Sequence, residues 1–218
     1  MKQSNLRLSL TAITLGLALS AQAEVLKDPQ WQAWLDASKT QELERAAQAR
    51  LSAQPEDAQA AVALGLAALE DGEPKRLEAA LKPLQACVER QPTLATCHYA
   101  LGSVYGVQAM TGGMMKAMGL ASRIKESLSR AVELDPMLYE ARQALVQVYL
   151  LLPGMAGGSV SKAKELAAAA DKRQPEHAKA LRAMIALQDK QWMEAERELQ
   201  SAKPGDDKSL QADLRGSW

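Results

Sequence analysis

Leu101-Gly102-Ser103-Val104-Tyr105 is the stretch on which the fold turns, because its first two residues recur. Leu64-Gly65 stands 37 residues earlier, and Leu145-Val146, an altered form, stands 44 residues later. A second marker keeps step with the first: Pro55, Pro92, Pro136 and Pro175 are 37, 44 and 39 residues apart. Two separate markers in phase indicate an internal repeat. A period in this range describes a stack of supersecondary units, none of which can bury its apolar face alone. Such a stack is a binding scaffold before it is an enzyme.

Between the prolines the residues are helix formers. The chain is visibly rich in Ala and Leu, has no Phe, only 4 Trp and 4 Tyr, and few β-branched runs, so all-α is the class it supports. Asp28-Pro29 reads as an N-cap followed by Pro at the first helical position, with Trp31 and Trp34 on one face of the helix. Ser38-Lys39-Thr40-Gln41 fits a capping box that opens a second helix, with Leu43, Ala46, Ala47 and Leu51 on one stripe. After Pro55 the pattern predicts helix pairs: 57–70 with 76–89, 93–108 with 119–134, 138–151 with 161–173, and 176–188 with 191–202. Pro83 is expected to kink or split its helix. Turn signals inside the pairs fall at Asp71–Pro74, Thr111–Gly113, Pro153–Gly158 and Asp189–Gln191.

These residues resemble the tetratricopeptide repeat (TPR), whose 34-residue unit runs W-x2-L-G-x2-Y, then A-x3-F, then P. Leu101-Gly102 with Tyr105 matches best, with His98 where the family usually has Trp. Leu64-Gly65 with Ala68 lacks the Tyr, and Leu145-Val146 with Tyr149 lacks the Gly. Ala80, Ala163 and Ala195 supply later small residues, and Ala131 to Pro136 looks like the end of a unit. The resemblance covers roughly residues 40–204. It implies a right-handed α-solenoid of antiparallel helix pairs: an N-terminal helical cap over 24–54, about four repeats over 55–204 and a C-terminal tail over 205–218. A non-repeating helical bundle is the rival architecture.

The resemblance also implies where a partner would lie. First helices of the pairs line the concave face, and phasing on the Leu markers places Val62, Leu66, Tyr99, Ser103, Gln143 and Gln147 there, with Lys179 and Arg182 following. Family members that clamp a C-terminal carboxylate use Lys and Asn in the first repeats. Val62, Leu66 and Tyr99 stand there instead, which argues against that role and leaves an extended or helical peptide. The spacings exceed 34 residues by 3, 10 and 5. The extra residues are expected at the turns inside the pairs, along one edge, where insertions often mark a binding face.

The ends and the charge set the compartment and exclude some partners. Lys2 and Arg7, an apolar run over 8–19, and Ser20-Ala21-Gln22-Ala23 read as a signal peptide over 1–23, cut after Ala23. The run is short of the roughly 20 residues a membrane span needs. The expectation is a periplasmic protein with no membrane insertion after cleavage. Over 24–218, 24 basic face 26 acidic residues, and that balance argues against nucleic acid, which calls for a basic excess.

Few residues could carry chemistry. Cys87 and Cys97 lie symmetrically about Pro92, so a helical hairpin would bring them together, and an oxidising compartment would join them as a disulfide. Their C-x9-C spacing is not the C-x-x-C of redox-active pairs. Met110, Met114, Met115 and Met118 crowd one insertion. Thioethers favour Cu(I), so this Met-rich loop, residues 110–118, offers an alternative reading as a periplasmic Cu(I) or small-ligand binder, against the plainer one of an apolar loop filling gaps. The glycines from Pro153 to Lys162 do not match a phosphate loop, and Ser159 or Ser161 reads as an ordinary N-cap. His98 and His177 stand alone and read as packing residues. No nucleophile–base or paired-carboxylate arrangement stands out, and no cofactor is implied. The sequence therefore points to an exported, non-enzymatic scaffold with a protein or peptide partner.

Overall fold

The computed structural model describes residues 25–205, 207, 210–211 and 214–215, so the expected signal peptide lies outside the described residues. The chain folds as α1 (Pro29–Asp36), α2 (Thr40–Ala53), α3 (Ala58–Asp71), α4 (Pro74–Arg90), α5 (Ala95–Thr111), α6 (Gly113–Leu134) and α7 (Tyr139–Leu151). A 3-10 turn (Gly154–Ala156) leads to α8 (Val160–Ala170), α9 (Pro175–Gln188) and α10 (Trp192–Ser201). The described residues hold no strand. Consecutive helices pack as neighbours, and the first helices α3, α5, α7 and α9 also touch in series. This is the layering of a solenoid.

The proline beat has a backbone cause. A residue before proline is driven off the α region, and Gln54, Gln91, Asp135 and Gln174 all sit there with φ of −138°, −129°, −136° and −138°. Each still donates its N–H four residues back, to Arg50, Cys87, Ala131 and Ala170. One device thus ends α2, α4 and α6, and at Gln174 it forms the N-cap of α9. A second device fastens the proline carbonyl: His98 Nε2 lies 3.0 Å from Pro92 O, and Arg142, six residues after Pro136, donates to its carbonyl at 2.6 Å. His98 is therefore a buried packing residue with a backbone partner. Arg142 is also buried, and its pKa is lowered by desolvation and, secondarily, by the charge of Arg173.

The Leu-Gly markers are where two helices of one pair meet. A Cβ on Gly65 would lie 2.8 Å from Leu84 Cδ1, and one on Gly102 would lie 2.8 Å from Leu128 Cγ. In the third pair Val146 occupies that place, fully buried, and the facing helix carries Ala163, Ala167 and Ala170. A large residue on one helix is matched by small ones on the other. In the fourth pair Arg182 instead reaches Glu198 on α10 at 3.1 Å.

Several expectations need correction. Ser38 does not cap α2: Lys39 is the N-cap residue, without a side-chain bond, while Ser38 has φ of 51° and its hydroxyl bonds Glu70. Asp28 does cap α1, accepting from the N–H groups of Gln30 and Trp31. α4 runs unbroken through Pro83. The ten extra residues of the second repeat form no loop; they lengthen α5 to 17 and α6 to 22 residues, which meet at Gly112. The extra length of the third repeat is a loop, and Lys125 Nζ ties it to α6 through Ala156 O at 2.8 Å. Its glycines are there for close approach: Gly157 has φ of 89°, and a Cβ on Gly158 would overlap Leu152 O. Within the C-terminal segment, Asp207 and Leu210 are buried, and Asp207 pairs with His177 at 2.9 Å. Beside it Lys203 N donates to Glu176, and chiefly that bond holds the Glu176 carboxyl below its ordinary range.

Cys87 at the end of α4 and Cys97 at the start of α5 are joined, with Cα atoms 5.8 Å apart. The disulfide links one repeat to the next.

Candidate functional site

A cavity of about 500 Å³ opens between α5, α6 and α7. Tyr99 and Ser103 face it from α5, and Gln143 and Gln147 from α7, as the Leu-marker phase predicts. Further along the same helices come Val107 and Met110 on α5 and Val148 and Leu151 on α7, with Met114 added from α6. The groove is graded. Hydroxyl and amide groups lie toward the helix starts and apolar side chains toward the turns. Glu140 is the one charged group among the described residues lining it.

Four predicted contact residues are not part of this groove. Val62 and Leu66 are 0% and 5% exposed, because α3 is packed by α1, α2, α4 and α5. The cap that begins the stack covers the face these residues would have presented. Lys179 and Arg182 lie on α9, where intramolecular partners hold them. Lys179 donates to Glu176 at 3.0 Å and to Ser201 O at 2.9 Å, and Arg182 pairs with Asp171 and Glu198. Burial alone would lower the Arg182 pKa, but the two carboxylates more than offset it and the net shift is upward. Neither cation is spare for a partner.

The methionine edge and the groove, alternatives in the sequence, meet. Met110 and Met114 line the cavity, while Met115 and Met118 are exposed on α6 and are not among its lining residues. Spacing could have shown this: Met110 is seven residues after Ser103, hence on the same helix face. Treating 110–118 as a loop hid that relation. Tyr99 is half-buried against the core, so it is a poor residue for testing the groove by truncation. Gly106 is better placed. It lies on the groove wall in α5, and a Cβ there would meet nothing within 4 Å.

Comparison with known proteins bears on the fold. No family model and no curated protein matches the sequence. Among solved structures, a thermophilic TPR protein of Thermus thermophilus superposes with a TM-score of 0.64 over 80% of this chain and 88% of that one. The chain has a TPR-like fold. At 18% identity the similarity concerns architecture alone. The TPR-like frame places Gly65 and Gly102 at helix–helix contacts.

The groove can bind by burying apolar area and by hydrogen bonds from Tyr99, Gln143 and Gln147, while the Ser103 hydroxyl oxygen is buried beneath its surface. Its lining among the described residues has no His, Cys or Lys. Among the described residues no helix is long and apolar enough to cross a membrane.

Proposed function

We propose that this chain is an exported, non-enzymatic TPR-like scaffold that holds a protein or peptide partner in the groove between α5, α6 and α7. The observation that carries the reading is the convergence of groove side chains and exposed methionines on one 500 Å³ cavity. Met110 is 72% and Met114 66% exposed, and unbranched thioether side chains repack readily around a partner's apolar groups. The near-balance of charge supports a protein rather than a nucleic-acid partner.

The test is a substitution that fills the groove without disturbing the fold. Gly106→Trp removes a helix-interior glycine, so thermal stability should hold or rise slightly. Partner capture from a periplasmic extract, identified by mass spectrometry, should fall about tenfold or more, as when a well-packed contact is blocked. Capture that survives an intact, folded Gly106→Trp protein excludes the groove. Tight Cu(I) binding that disappears on replacing the methionines of 110–118 would move the reading to metal binding.

Export rests on residues 1–23 and has its own measurement. Protein recovered from the periplasm should begin at Glu24 by intact mass; an uncleaved Met1 start rules out the signal peptide.

A further inference from the structure

We propose that the edge formed by the turns inside the second, third and fourth helix pairs docks on the surface of an anionic lipid bilayer. Met115, Met155 and Met193 enter the interface, and Lys116 and Lys162 meet the headgroups. This surface does not depend on the groove being a binding site.

Exposed apolar side chains are segregated on this molecule. Among the described residues, all nine large apolar side chains that are exposed, from Met110 to Met193, lie at or beside those three turns. The three most exposed come one to a turn: Met115 at 86%, Met155 at 89% and Met193 at 88%. None of the three lines the groove. The turns are neighbours in space. Met114 and Pro153 line one cavity, Lys125 donates to Ala156 O, and Lys164 on α8 reaches Asp189 at 4.0 Å. The opposite edge, with the turns at Gln54, Gln91, Asp135 and Gln174, has no exposed large apolar residue among the described residues. Single exposed apolar residues are ordinary, but their collection along one edge marks a contact surface.

Side-chain type and charge favour lipid over protein as the occupant. Projecting side chains with almost no neighbours suit a fluid surface, which supplies apolar volume without a shaped pocket. Trp192, beside Met193 and 61% exposed, has the apolar ring and N–H that settle at headgroup level. The charge of the whole chain is balanced, yet residues 91–125 and 141–164 contain no Asp or Glu. Lys116 and Lys162 are therefore exposed at the second and third turns without an acidic residue nearby in sequence. At the fourth turn Asp189 is paired with Lys164 and Glu194 with Arg197. Cations flanking apolar tips complement anionic headgroups.

The mature protein, Glu24 to Trp218, is the one to test, so that the apolar run over 8–19 is absent from the assay. It should co-sediment with vesicles of equal parts phosphatidylcholine and phosphatidylglycerol, and about tenfold more weakly with phosphatidylcholine alone. The Met115→Ser/Met155→Ser/Met193→Ser protein should bind the anionic vesicles about tenfold or more less tightly, because binding scales with the apolar area buried. Its melting temperature should not change, as the three side chains are exposed. Lys116→Gln/Lys162→Gln should remove most of the preference for the anionic vesicles and leave binding to neutral ones unchanged. Failure to bind either vesicle, or undiminished binding by the triple serine variant, overturns the proposal. So does a dimer that the triple variant dissociates, or a periplasmic protein held through the three methionines by a chain that ignores vesicles. Gly106→Trp should bind vesicles as the parent does. Loss of vesicle binding in that variant, with helicity retained, would assign the lipid contact to the groove and overturn the edge.

Discussion

Gly102→Val is expected to destabilise the protein by about 1–3 kcal/mol, the usual cost of forcing extra carbons into a packed contact. The new Cβ would sit 2.8 Å from Leu128 Cγ, 2.9 Å from its Cδ2 and 3.1 Å from Ser127 Cβ, so α5 and α6 must part or Leu128 must leave its rotamer. Leu128→Ala alone should cost about 2–5 kcal/mol, since Leu128 is 1% exposed and its neighbours can close the hole only partly. The two changes together should cost less than their sum by about 1–3 kcal/mol, because valine then occupies space the leucine vacated. The molecule already contains that solution in the third pair, where Val146 meets Ala163 and Ala167. Urea denaturation of the four proteins measures the coupling. Strict additivity would show that Gly102 does not set the approach of α5 to α6.

Cys97→Ser is expected to cost about 3 kcal/mol, as the chain-entropy account gives for a short closed loop. For a chain of this size that corresponds to a fall in melting temperature of about 6–12 °C. The cysteines are ten residues apart in sequence and sit on successive helices, α4 and α5, that pack together. Cys97 is fully buried, so a serine there also leaves a hydroxyl to be satisfied, which adds to the loss. Non-reducing peptide mapping should find Cys87 joined to Cys97. Free thiols in protein taken from the periplasm, or an unchanged melting temperature in the serine variant, would refute the assignment.

The repeat, the helix pairs and the disulfide were legible in the sequence because each rests on short-range rules. A residue before proline leaves the α region whatever surrounds it, so Gln54, Gln91, Asp135 and Gln174 mark the ends of units by themselves. Glycine is needed where two helices approach within a side chain's width, and Gly65 and Gly102 recorded those contacts. The cysteines, equidistant from Pro92, needed only the hairpin between them.

The groove depended on more than one repeat, and there local rules lost their hold. Val62 and Leu66 occupy the same register as Tyr99 and Ser103, yet they are buried because α1 and α2 dock on α3. No feature of the α3 sequence records what lies on top of it. Lys179 and Arg182 looked free because Ser201 and Glu198 are 22 and 16 residues away along the chain. The two glycines at 112–113 suggested a loop, but the helices on either side run up to them and carry the methionines into the groove. Sequence by itself determined the unit and its period, since backbone sterics and close helix contacts act within one repeat. Only the tertiary structure decided which faces of those units stay open, since exposure is a property of the neighbours a helix acquires.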